Sequence, residues 1–324
     1  MDALSKLSII PFDEILAAKK TAPSEIRDTP LVKLNIDVPN KEIYLKLENL
    51  QPVGSFKIRG AFNALGNRKH KTDGVFTSSA GNFAQGLAWA AAKRNIKCDV
   101  VVPDTASPLK IEAIKRYGGN VIKVPYDAWW SVMMSEKYDG LHGSFIHPCC
   151  DRSVIAGNGV IGLEIIEALP DVDAIVCSYG GGGHSLGISA AVKHVNPQVK
   201  VYACEAETAT PLSASLAAGK PVVLEKHKPS FVDGLNGKAM FPCMWNLAKH
   251  LLDGAIITTL REICDAIKLL VANNHIVSEG AGAATVAAAL SESVPNGKIV
   301  CVISGGNIDL ERLKIILSGK IPDY

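Results

Sequence analysis

The stretch A-I-V-C-S-Y-G-G-G-G-H-S-L, Ala174 to Leu186, decides the fold class. Ala174 to Cys177 is a short apolar run of strand length, and Leu186 to His194 carries a helical pattern. Four consecutive glycines, Gly180 to Gly183, stand between them. A strand that runs through glycine into a helix is the repeating unit of an open, mainly parallel sheet covered by helices, and such sheets collect ligands beyond the carboxyl ends of their strands. A plain turn needs one or two glycines. Four let backbone N–H groups close around an anion at a helix N-terminus, where the helix dipole also favours negative charge. The spacing fits neither G-x-G-x-x-G nor G-x-x-x-x-G-K-[ST], so a phosphate of mononucleotide size or smaller is expected.

The same alternation extends in both directions. Further strands are expected at Ile43 to Leu47, Val75 to Ser78, Asp99 to Val102, Asn120 to Val124, Lys200 to Cys204 and Ile299 to Ile303. Helices are expected at Ala84 to Arg94, Ser107 to Tyr117, Gly159 to Ala168 and Leu260 to Asn273. The class is α/β, with open, mainly parallel sheets flanked by helices in two lobes. At 324 residues the chain is long enough for two. A small lobe over residues 70–146 is expected to be inserted into a larger one formed by 1–69 and 147–324.

Charge narrows the partners. Lys plus Arg total 34 against 32 for Asp plus Glu, which gives no field for nucleic acid or an anionic membrane. No basic leader opens the chain and no stretch approaches the roughly 20 apolar residues of a membrane span, so a cytoplasmic protein is expected. The eight cysteines, at 98, 149, 150, 177, 204, 243, 264 and 301, lack C-x-x-C spacing and several sit in apolar runs. They are expected to be buried small hydrophobes, neither a disulfide framework nor a zinc site, with the adjacent Cys149 and Cys150 the pair to watch.

A second strand-to-helix junction reads Q-P-V-G-S-F-K-I-R-G-A, Gln51 to Ala61. Lys57 opens a helix pattern between Phe56 and Ile58, where desolvation disfavours the charged amine and frees it to form a Schiff base. Alone, it reads as readily as a snorkelling surface lysine. Beside a phosphate cradle it gains meaning, because a phosphate-bearing aldehyde cofactor needs both parts.

Four segments carry a family resemblance: G-S-F-K-I-R-G-A (Gly54 to Ala61), S-A-G-N (Ser79 to Asn82), the tetraglycine, and S-G-G-N (Ser304 to Asn307). In order and spacing they resemble the fold-type II pyridoxal-phosphate enzymes, related to the tryptophan synthase β fold, in the branch holding threonine dehydratase, serine dehydratase and serine racemase. The resemblance runs from Thr29 to Ile316. It implies that Lys57 holds pyridoxal 5′-phosphate and takes the substrate's Cα proton. It implies that Phe56 packs on the pyridine ring, Asn82 reaches the ring hydroxyl, Gly180, Gly181, Gly182 and Gly183 bind the phosphate, and Ser304 faces the ring nitrogen. Glu279, in H-I-V-S-E-G-A-G, resembles a family acid near the cofactor, and reads equally as a carboxylate at a helix N-terminus. Ser79, Ala80, Gly81, Asn82, Phe83 and Asn158 fall where the family binds substrate.

The implied activity is a lyase of amino acid catabolism that converts a hydroxy amino acid such as threonine or serine to a 2-oxo acid and ammonia. Alternatives are a serine racemase, a 3-hydroxyaspartate lyase, and a cofactor-binding scaffold without turnover. Three departures bear on the choice. Ala80 stands where serine racemase has a second serine, which disfavours racemisation. Phe83 replaces the usual histidine, and Asn158 the usual glutamine of A-G-Q-G. The segment E-A-E-T-A-T-P resembles the family's cation site, with Glu205 and the Ala209 carbonyl as ligands. Pro211 offers no side-chain oxygen there, so a divalent metal is not expected, while a monovalent cation stays open. The resemblance also implies a homo-oligomer, dimer or tetramer. The chain ends after the last helix pattern, so feedback inhibition at a C-terminal domain is not expected. Trp129 and Trp130 are expected to pack at the seam between lobes, and Met240 to Trp245 lines either a pocket or a subunit contact.

Overall fold

Strands that are apolar along their whole length can only be satisfied with a helix on each face, and the chain builds two sheets of that kind. The computed structural model describes residues 7–66 and 74–323. Its strands are β1 (Leu31–Lys33), β2 (Lys41–Lys46), β3 (Val75–Ser78), β4 (Cys98–Pro103), β5 (Asn120–Val124), β6 (Ser144–Phe145), β7 (Ala174–Ser178), β8 (Lys200–Ala206), β9 (Gly254–Thr258) and β10 (Gly297–Val302). The first sheet has the order β1-β2-β10-β7-β8-β9, parallel except where β1 pairs antiparallel with β2. The second has the order β5-β4-β3-β6 and is parallel throughout. The fold is α/β, as the sequence implies. The expected boundary between 69 and 70 lies outside the described residues. All of the second sheet falls between Val75 and Phe145.

The helices are α1 (Phe12–Thr21), α2 (Lys57–Gly66), α3 (Asn82–Lys93), α4 (Pro108–Arg116), α5 (Tyr126–Ser135), α6 (Arg152–Ala168), α7 (Gly183–Val195), α8 (Pro211–Ala218), α9 (Pro242–Leu251), α10 (Leu260–Leu269), α11 (Gly280–Leu290) and α12 (Leu310–Leu317). Among the described residues, none is long and apolar enough to cross a membrane. Helix α6 starts seven residues before its expected start because Asp151 caps it, accepting from Ser153 N at 2.8 Å and Val154 N at 3.2 Å. Its glycines set how closely its neighbours approach. A Cβ at Gly157 would lie 2.7 Å from Arg59 O on α2, and one at Gly162 would lie 2.8 Å from Ile188 O on α7.

A buried charge cluster locks α2 and α6 to the first sheet. Arg59 donates to Glu48 through Nε (2.8 Å) and Nη2 (2.8 Å), and to Glu164 through Nη1 (2.7 Å) and Nη2 (2.8 Å). Lys46, on β2, reaches Glu164 at 2.5 Å. All four side chains are buried. Burial opposes the charge on Glu48, but the Arg59 guanidinium outweighs it and holds the carboxyl below the ordinary range. Removing the arginine would leave two buried carboxylates facing each other with one lysine. Arg59→Met should therefore cost about 3–5 kcal/mol of stability, read as the shift in the denaturant midpoint at unchanged slope; a loss under about 1 kcal/mol would show that the cluster behaves like a surface pair.

Candidate active site

The parallel strands deliver their carboxyl ends to one side, and the residues singled out in the sequence stand at those ends. The loop before Lys57 and the loop after β10 are stitched together by backbone. Phe56 N donates to Ser304 O (3.0 Å), Gly306 N to Gly54 O (2.9 Å), and Ser55 pairs with Gly305. Gly54 has φ +70°, and a Cβ there would stand 2.4 Å from Asn307 Oδ1, so this approach requires glycine. Lys57 is thereby placed at the first turn of α2, half-buried, its Nζ 5.0 Å from the centre of the Phe56 ring and 5.8 Å from that of Phe83. Helix α3 closes on it from the other side, with Gly86 near enough that a Cβ would lie 3.1 Å from Lys57 O.

Gly180 to Gly183 follow β7 and open α7, with Gly182 at φ +90°. The first-turn N–H groups of α7 have no intrahelical acceptor, and no side chain caps them. The cradle is tightly walled. A Cβ at Gly181 would meet Cys149 Sγ at 2.2 Å, one at Gly183 would meet Cys149 O at 2.9 Å, and one at Gly180 would meet Gly234 O at 2.3 Å. His184, the next residue, stacks on Phe56 with ring centres 4.1 Å apart, which joins the cradle to the Lys57 loop.

Ser79 to Asn82 lead from β3 into α3 and present its N-terminus. Asn82 Nδ2 donates to both oxygens of Glu279 at 2.9 and 3.0 Å, and its Oδ1 accepts from Asn307 Nδ2 at 2.8 Å. Burial pushes the Glu279 carboxyl up to about 7, with the Asn82 hydrogen bond pulling the other way. Ser304, at the end of β10, is buried beside this network.

A sequence model of the family described as pyridoxal-phosphate dependent enzymes matches residues 23–305. The chain is 39% identical over 321 residues to the L-threonine ammonia-lyase of Thermotoga maritima, covering 96% of this chain and 79% of that protein. It is 35% identical over 316 residues to the catabolic L-threonine dehydratase of Escherichia coli strain K12, covering 95% and 96%. In structure it resembles maize serine racemase, with a TM-score of 0.88 at 31% identity and coverage of 95% and 96%. The chain belongs to the pyridoxal-phosphate dependent enzyme family.

The residues present fit that family's cofactor. The glycine cradle, which a single Cβ would fill, and the uncapped N-terminus of α7 suit a phosphate, and the half-buried Lys57 stands near Phe56, on which His184 of that helix stacks. Two buried imidazole nitrogens, Nε2 of His147 and of His184, have no partner.

Placement bears on four of the sequence readings. Asn158 is buried, and its Nδ2 donates to Gly183 O at 3.1 Å, so it supports the cradle from the side of α6. One face of the Phe56 ring is taken by His184. Glu205 accepts from Leu212 N (2.7 Å), Ser213 N (2.8 Å) and Ser213 Oγ (2.6 Å), which makes it the cap of α8, and Ala209 is buried in the turn before that helix. Among the described residues no cluster of three or more His, Cys, Asp or Glu is placed to hold a metal. The sulfurs of Cys150 and Cys243 are paired, so the reading of all eight cysteines as separate buried thiols does not hold for these two.

The sequence reading gives no role to His147 or His184, and it includes Phe241 only within the run Met240 to Trp245. The ring of Phe241 lies edge-on to His147 (5.3 Å) and stacks on Trp130 of α5 (6.5 Å), which brings Trp130 close to the residues around the cradle. An H-P-C-C-D segment just before a helix was the available signal for His147. Glu279 yields a pH test. Its carboxyl binds a proton more tightly folded, at about 7, than at the ordinary 4.5, so its contribution is present below the lower value and is lost as pH rises through the upper one. The cofactor-free Glu279→Gln protein should gain in Tm relative to wild type between pH 5 and pH 8; parallel profiles would place the carboxyl in the ordinary range.

Proposed function

We propose that the protein is an ammonia-lyase for a small hydroxy amino acid, threonine or serine, which loses water across Cα–Cβ and then hydrolyses to a 2-oxo acid and ammonia. The observation that carries the reading is the arrangement around Lys57. Its amine lies near the rings of Phe56 and of Phe83, the second residue of α3, and the loop that leads into that helix carries Ala80, which has no group that exchanges protons. Proton traffic at Cα then has one dedicated carrier. The similarity to ammonia-lyases and dehydratases supports the same choice.

Pyridoxal phosphate, when bound, withdraws electrons from Cα and so acidifies its hydrogen. Lys57 would release its hold to the substrate amine and then take that proton through Nζ. The N–H groups of Ser79 to Asn82 would receive the substrate carboxylate at the positive end of α3. Gly180 to Gly183 would hold the phosphate, with Asn158 fixing Gly183 from behind. Phe83 offers a wall without hydrogen bonds, which suits the methyl group of threonine. Glu279, near half-protonation at neutrality, would keep Asn82 in place without adding a full negative charge beside the lysine.

Purified wild type should be yellow, lose its colour on borohydride reduction and form 2-oxobutanoate from L-threonine. Lys57→Ala should reduce oxo-acid formation roughly 1,000-fold or more; turnover within tenfold of wild type would remove Lys57 from this role. From L-serine, pyruvate should greatly exceed D-serine, and Ala80→Ser should raise the D-serine share. Abundant D-serine from wild type would favour a racemase.

A further inference from the structure

His147 lies just after β6, in the loop that leads into α6, and its ring is buried. Its Nδ1 accepts two backbone hydrogen bonds, from Cys149 N at 3.1 Å and Cys150 N at 2.9 Å. An acceptor nitrogen carries no proton, so the neutral ring bears its hydrogen on Nε2. That Nε2–H is buried and has no partner. Burial, with the Lys57 cation nearby, pushes the imidazole down to about 4, so the tautomer is held throughout the neutral range. A buried, unmatched donor is costly, and native structures keep one where a ligand supplies the acceptor.

The surroundings say which ligand atom. Cys149, two residues on, is the residue that walls the cradle at both Gly181 and Gly183. Phe241, edge-on to the His147 ring, is also within 3.4 Å of the Cβ position at Gly181. His147 is thus bracketed by two side chains that abut the same glycine. We propose that His147 is a cofactor-binding residue whose Nε2–H donates to a phosphate oxygen of pyridoxal phosphate, completing from a side chain the cradle that Gly180 to Gly183 form from backbone. The donor is neutral. It fixes the phosphate in direction without adding a second cation close to Lys57, whose amine must stay available.

The inference rests on the cofactor reading of the cradle and is independent of which amino acid is deaminated. It is tested by comparing the dissociation constants of pyridoxal 5′-phosphate and of pyridoxal, which lacks the phosphate, in wild type, His147→Phe and His147→Gln. His147→Phe should weaken pyridoxal phosphate roughly 10- to 100-fold, the scale of a hydrogen bond to a charged group, and leave pyridoxal within about twofold, since a hydrogen-bond donor lost at the phosphate does not touch the ring. His147→Gln, which keeps a donor, should recover most of the preference. Equal losses for both ligands, or no loss for either, would overturn the role of His147. If wild type itself did not prefer the phosphorylated form, the reading of the cradle would fall instead. A measurement on unmodified protein guards against misfolded variants. With 15N-labelled histidine, the Nε2–H signal that is missing from His147→Gln should move downfield when pyridoxal phosphate is added and stay in place with pyridoxal. A signal that ignores both ligands would sink the proposal.

Discussion

Two backbone hydrogen bonds, Phe56 N–H to Ser304 O and Gly306 N–H to Gly54 O, hold together the segments on which the site depends. They join the entrance of α2 to the exit of β10, and they exist only because Gly54 has no side chain to collide with Asn307. Once that seam is closed, the remaining groups have little freedom. Asn307 reaches back to Val53 O at 2.9 Å and forward to Asn82, which in turn holds Glu279. A lysine, an amide, a carboxyl and a serine from four distant segments are thereby set around one space by backbone geometry, before any ligand contributes. Sites preorganised in this way need not pay for ordering their groups when the ligand arrives.

The charge cluster beneath the site acts on direction more than on net stability. Taking Arg59, Lys46, Glu48 and Glu164 out of water carries a desolvation penalty that their attraction only roughly offsets. What the cluster imposes is geometry. The guanidinium is a planar fork, and it meets Glu48 on one edge and Glu164 on another, so α2 can neither rotate nor slide against α6 without breaking a bond. Arg59 is two residues beyond Lys57 on the same helix, and Glu164 is less than two turns beyond Asn158, which holds the cradle. The cluster therefore fixes the distance between the two halves of a cofactor site that are far apart in sequence.

How far this was legible in the sequence follows from the kind of signal each element leaves. Strands β3 and β5 occupy the expected residues, because short apolar runs ended by serine, glycine or proline leave few alternatives. Helix α11 was not foreseen: G-A-G-A-A-T-V-A-A-A-L is buried on every side, so it has no polar face from which a period could be read. Strand β9, at the sheet edge and only partly buried, and the two-residue β6 fall below what a pattern can resolve. Glycine and lysine were readable as the openings of α7 and α2, because a glycine run and a strand-to-helix junction are local signals. The bonds of Asn158 and Glu205 were not legible for the opposite reason: both stand in segments that resemble ligand-binding ones, and only the packing of the fold shows Asn158 bound to Gly183 O and Glu205 to the first turn of α8. His147 was missed because an imidazole in a loop has no sequence signal for which of its nitrogens is already engaged.

The charge balance of the site gives these placements a common logic. A Schiff-base lysine works by exchanging a proton, so fixed cations or anions packed against it would bias that exchange. The nearest ionisable groups are each kept from acting as fixed charges. Burial, reinforced by Lys57, pushes His147 down to about 4 and His184 to about 3, so both stay neutral. Burial likewise raises the Cys149 thiol, and holds Glu279 near 7. An anion in the cradle would then meet backbone N–H groups and the end of a helix dipole, which orient it by geometry. Lys57 Nζ stands over the faces of two aromatic rings, which offer no acceptor for a proton. A polar histidine in place of Phe83 would add such an acceptor, and with it a competing position for the proton. Phenylalanine at 83 leaves the Lys57 amine without that competitor.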